Sequence, residues 1–197
     1  MNCINIIDIS TIKDIVLIIG SLTATVYTLY SYKKSRKELS IKFRHELSRN
    51  LFKSIYDLKQ VFNYTRSSLI LASEYPANFK IDETKQSEKL RSVFENRFRH
   101  LNEKVNTILS LIGEAELEYK NEIPQLCNEI LNQIYNYKED VSLFIQLVDN
   151  TNHRDPDLVN LRKVIYNIDP TSNKTTIKFE KKIEEILSML KKELSRN

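Results

Sequence analysis

The chain has only two glycines, four prolines and no tryptophan in 197 residues. Sandwiches and barrels need frequent tight turns, which draw on glycine and proline, so this scarcity excludes a turn-rich all-β fold. It also excludes a glycine-lined phosphate cradle, and neither a P-loop nor a dinucleotide fingerprint occurs. Cysteine is equally scarce. Cys3 and Cys127 stand far apart, too few for a disulfide framework or a cysteine metal site. Cys127 reads as a small buried hydrophobe.

Histidine is limited to His45, His100 and His153, none of them in an HExxH or Cys/His cluster. His100 and Glu103 share a helical face. A carboxylate-bridged metal bundle, however, needs Glu-x-x-His pairs on two helices plus further glutamates, and residue 97 is an arginine. The HRDPD segment at 153–157 matches a kinase tripeptide without the Gly-rich loop, the strand lysine or DFG, and GxSxG is missing. The expectation is therefore a non-enzyme with no catalytic residue, metal or cofactor.

Charged residues make up 28% and hydrophobic ones 41%, ordinary values for a folded domain. The net charge of +4 is unevenly spread. Between Lys33 and Arg49 seven basic residues face two acidic ones, whereas from Asn50 onward the two signs balance. A nucleic-acid-binding domain would carry a basic stripe of its own, so this distribution argues against nucleic acid as a partner.

The most distinctive stretch runs from Ile15 to Tyr32 without a charged residue, and the basic cluster Lys33, Lys34, Arg36 and Lys37 follows at once. Eighteen helical residues rise about 27 Å, close to a hydrocarbon core of about 30 Å. The pattern predicts a single N-terminal transmembrane helix over 15–32, a short extracytoplasmic N-terminus over 1–14, and a cytoplasmic domain over 33–197. The basic cluster on the C-terminal flank sets that orientation and touches lipid headgroups, which implies the inner membrane of a bacterium. Gly20, Ala24 and Thr28 recur every four residues with Ser21 and Thr25 beside them, a small-residue face expected to mediate self-association.

The remainder predicts an all-α antiparallel bundle of four or five long, coiled-coil-like helices. Phe43, Leu47, Leu51, Ile55, Leu58 and Phe62 mark the first stripe, on a helix expected to run from Lys33 to about Glu74. Pro76 breaks the chain, and a second helix is expected from about Thr84 to Tyr119. Pro124 suits the first turn of a third helix, whose stripe Ile123, Cys127, Ile130, Ile134, Tyr137, Val141, Phe144 and Val148 alternates steps of four and three. Asp155-Pro156 reads as an N-cap and first residue of a short helix, and a last helix is expected over about 177–194.

These readings point to a membrane-anchored sensing or scaffolding protein. Its bundle would recognise a protein partner or a small anionic ligand, and its partners would include lipid and further copies of itself. The alternative is a pore-forming effector of a bacterial antiviral or toxin system, with the oligomeric span as its output.

Overall fold

The computed structural model describes residues 9–75, 84–119, 122–150, 154–168, 171 and 173–195. The described chain is all-helical, with α1 (Ile9–Thr65), a 3-10 turn (Ala72–Glu74), α2 (Gln86–Glu118), α3 (Glu122–Leu147), α4 (Pro156–Ile165) and α5 (Lys174–Leu194). It divides into two compact units, Met1–Arg44 and His45–Asn197.

In the first unit, side chains are described from residue 17 on. Leu17, Ile18, Ile19, Leu22, Val26, Leu29 and the tyrosines at 27, 30 and 32 are all exposed on α1. Among the described residues no helix is long and apolar enough to cross a membrane. This corrects the transmembrane span expected over 15–32, and with it the single-pass inner-membrane placement. The physical reason is dilution. Of the sixteen positions from 17 to 32, nine are Gly, Ser, Thr or Tyr. The side chains of Ile15 and Val16, and the whole of residues 1–8 with Cys3, lie outside the described residues.

The second unit is an up-down-up-down bundle of the C-terminal part of α1, α2, α3 and α5. Pairs across the helices fix the register. Asp57 meets Lys104 at 3.3 Å, Ser48 and Tyr119 share a hydrogen bond of 2.5 Å, and Lys59 pairs with Glu180. Lys138 donates to Asn102, and Lys182 pairs with Glu129. The stripes read from the sequence bury as one core. Leu47, Leu51, Ile55, Leu58 and Phe62 come from α1, and Leu90, Phe94, Leu101, Val105 and Ile108 from α2. The α3 heptad stripe from Ile123 to Val148 is buried throughout, Cys127 included, and burial pushes that thiol up to about 12. Phe43, grouped with the α1 stripe, is instead 45% exposed and belongs to the first unit.

Two boundaries differ from the sequence reading. Helix α1 ends at Thr65, well before Glu74, although no proline or glycine intervenes. A buried arginine on α2, described below, takes the carbonyls that follow. Helix α5 begins at Lys174, because Asn173 accepts from the backbone N–H groups of Thr175 and Thr176 at 3.1 and 3.2 Å. Asp155 caps α4 as expected, with Pro156 at its first position.

Phe62 is the aromatic hub of the core. Its ring stacks on Phe179 of α5 at 4.3 Å and meets Tyr137 of α3 edge-on at 5.2 Å. Truncating it opens a cavity shared by three helices. We expect Phe62→Ala to cost about 3–5 kcal/mol in urea unfolding, and a cost well under that range would remove Phe62 from the centre of the packing.

Candidate functional site

The end of the bundle where α1 stops carries two buried arginines. Arg97 stands in the α2 stripe between Phe94 and Leu101 and is 1% exposed. All five of its N–H donors are used. Nε and Nη2 grip the Glu74 carboxylate at 2.8 and 3.0 Å. Nη1 donates to the carbonyls of Thr65 and Ser67 at 3.1 and 2.6 Å, and Nη2 donates to that of Leu69 at 2.7 Å. Carbonyls at and beyond a helix end have no partner within the helix, so a forked donor there stops α1 and moulds the backbone that follows.

Glu74 completes the arrangement. Its two oxygens also accept from Tyr64 Oη and from the Leu71 N–H, both at 2.9 Å. Burial pushes its carboxyl up, but the hydrogen bonds from Arg97, Leu71 and Tyr64 and the Arg97 charge outweigh that, and the net shift is downward.

Arg66, also 1% exposed, forms no ion pair among the described residues. It donates to Thr176 Oγ1 and to the Val164 carbonyl, both at 2.7 Å, and its guanidinium lies over the rings of Phe62 and Tyr137 at 5.3 and 5.7 Å. Burial lowers its pKa, and nearby Tyr137 and Glu180 offset part of that. Both arginines are saturated by the fold or enclosed by it. They tie α1, α4, α5 and the 66–75 segment together and do not face an open site.

The open site lies next to them. A cleft of about 540 Å³ is walled by Ser68 and Ile70 of the Arg97-held segment, Gln86 and Leu90 of α2, and Phe144 and Val148 at the end of α3. Helix α4 and the turn after it supply Leu158, Val159, Arg162, Lys163, Tyr166 and Ile168. Leu90, Phe144, Val148 and Leu158 are core residues, so the floor is fixed by packing. Arg162 and Lys163 are exposed, and neither forms an ion pair with a described residue. Among the described lining residues none is acidic. The nearby Asp149 is engaged by the Ser87 N–H at 3.1 Å and by its hydroxyl. Tyr166 packs edge-on against Phe144 at 6.2 Å, and its phenol is raised mainly by burial. Concave volume, apolar floor and a few convergent polar groups are the general features of ligand sites.

The residues singled out in the sequence lie elsewhere. Gly20, Ser21, Ala24, Thr25 and Thr28 are exposed on α1 in the first unit, as are Lys33, Lys34, Arg36 and Lys37. The hydroxyls of Ser21, Thr25 and Thr28 donate to the carbonyls of Ile18, Ser21 and Ala24 at 2.8–2.9 Å, so they present little free polarity sideways. His100 and Glu103 are both exposed, 3.9 Å apart, and no group of three metal-ligating side chains occurs among the described residues. His153 lies outside them. Sequence reading missed Arg66, Arg97, Arg162 and Lys163. For Arg97 a signal existed: it continues the 90, 94, 101, 105 stripe at helical spacing, where a charge must be compensated.

No protein-family model, curated protein or solved structure matches the chain.

Because the Glu74 carboxyl is held below its ordinary value of 4.5, its stabilising effect is present above that pH and fades as pH falls through the lower folded value. We therefore expect the stability gap between wild type and Glu74→Gln to be widest at neutral pH and to narrow in acid. Arg97→Met, which strands a buried carboxylate, should cost about 3–5 kcal/mol at neutral pH. Urea titrations at a series of pH values check both, and a gap independent of pH would contradict the assignment.

Proposed function

We propose that this is a non-catalytic binding protein whose helical bundle recognises an anionic ligand, or an anionic group on a partner, at the α4 cleft. The observation that carries the reading is the pair of cations, Arg162 and Lys163, on a cleft whose described lining contains no acidic residue. Exposed cations are common, and two of them in the last turn of α4 also favour the helix dipole. Their position on the rim of a concave, otherwise apolar site is what favours a ligand. The decisive comparison is calorimetry of the full chain with organic anions against the Arg162→Glu, Lys163→Glu double variant. Binding should fall at least tenfold in the variant, with its helical content and cooperative unfolding retained. Equal affinity in both proteins would sink the reading.

A second reading concerns the first unit and rests on a different observation, the exposed apolar stretch of α1 over residues 17–32. Monomers rarely leave so many large apolar side chains open on one uncharged stretch, and a second copy of the helix is the occupant we favour. A Cβ added at Gly20 meets nothing within 4 Å, and the back-bonded hydroxyls allow close approach around Ala24. Parallel pairing would bring the clusters at Lys33, Lys34, Arg36 and Lys37 together. Antiparallel pairing keeps them at opposite ends, and so costs less repulsion. Light scattering on the full chain should give more than the monomer mass of 23.2 kDa. Lys substitutions at Gly20 and Ala24 should return it to the monomer, and a monomeric wild type would overturn the reading.

A further inference from the structure

The anionic reading leaves the chemistry of the ligand's other end open, and the cleft constrains it. We infer that the ligand is a single-chain amphipathic anion: an alkyl or acyl chain of several carbons ending in a carboxylate or phosphate. The inference rests on the proposed anion recognition and adds the apolar body.

A small polar anion would engage the rim and leave the apolar lining at Ile70 and Ile168 open to water. A purely apolar ligand would cover the floor and take the water from Arg162 and Lys163 without replacing it, which is costly for charged groups. Only a molecule with both parts satisfies both surfaces. At the head, the Arg162 guanidinium can hold two oxygens of a carboxylate or phosphate, while Lys163 adds a movable point charge. The C-terminal end of α4 opposes an anion there with a partial negative charge of about one half. Two full positive charges outweigh it. Along the chain, Ile168 at the mouth is 57% exposed and Ile70 half-buried, so a tail entering past them covers apolar surface already open to water. The wall bearing Ser68 and Ile70 is itself set by the Arg97 bonds to the carbonyls of Ser67 and Leu69. The tail would therefore meet a preformed surface, and little ordering would be charged against binding.

The experiment compares inorganic phosphate, hexyl phosphate, decyl phosphate and decanol, each kept monomeric, by calorimetry on the full chain. Affinity should rise up to about fourfold per methylene from hexyl to decyl phosphate. Decyl phosphate should bind at least tenfold more tightly than decanol, and the Arg162→Glu, Lys163→Glu variant should remove that advantage. Val159→Trp, which fills the cleft from a half-buried wall position, should abolish alkyl phosphate binding with the thermal midpoint retained. Alkyl phosphate binding undiminished by Val159→Trp would place the chain on α1 instead and overturn the inference. If inorganic phosphate binds as well as decyl phosphate, the inference falls while anion recognition stands. If decanol binds as well as decyl phosphate, anion recognition falls and takes the inference with it. If none of the four binds, both fall.

Discussion

One guanidinium decides where the first helix ends and how the chain turns into the second. Burying a charge as deeply as Arg97 costs several kcal/mol in desolvation, which its partners must offset. Here a carboxylate takes two donors and three backbone carbonyls take the rest. The carbonyls come from a segment that has just left a helix and has no ladder of its own. The arginine therefore replaces missing secondary structure, and the segment in return supplies the solvation the arginine lost. Neither is tenable alone. The α4 cleft depends on this exchange, since one of its walls is the backbone so held.

Around that point the rest of the bundle is ordinary in its physics. Apolar stripes at steps of three and four meet along four helices, and Phe62 joins three of them through ring contacts. The surface ion pairs Asp57–Lys104, Lys59–Glu180 and Glu129–Lys182 set register more than they stabilise, because exposed pairs are worth little. Arg66 is the exception that shows a second solution to the same problem. It forms no ion pair among the described residues, and its charge is offset by aromatic faces, a hydroxyl and a carbonyl.

Periodicity made the helical class and most core positions legible in the sequence, and capping chemistry made the start of α4 legible. Both signals are local, and local signals survive folding when the environment agrees with them. The end of α1 was illegible because nothing between Thr65 and Glu74 breaks a helix. The break is imposed from α2, through space. The start of α5 lies before its apolar stripe because the Asn173 side chain caps it through the backbone N–H groups of Thr175 and Thr176, which hydrophobic spacing does not register. The apolar stretch of α1 shows the opposite failure. Its lack of charge was legible, but the weight of its glycine, hydroxyl and tyrosine positions was underestimated. The cleft could not be read at all, since its lining comes from four separate parts of the chain.

The two buried arginines sit at the same end of the bundle, and among the described residues no charged side chain is buried as deeply at the opposite end, where α2 turns into α3. There the hydroxyl pair of Ser48 and Tyr119 is a polar tie between α1 and α2. Cooperative stability is then not shared evenly along the helices. Local opening should begin where α2 meets α3 and travel toward the arginines, so that the cleft belongs to the last part of the fold to let go. A recognition surface placed there stays formed through fluctuations that loosen the far end, and the bundle can breathe without losing it.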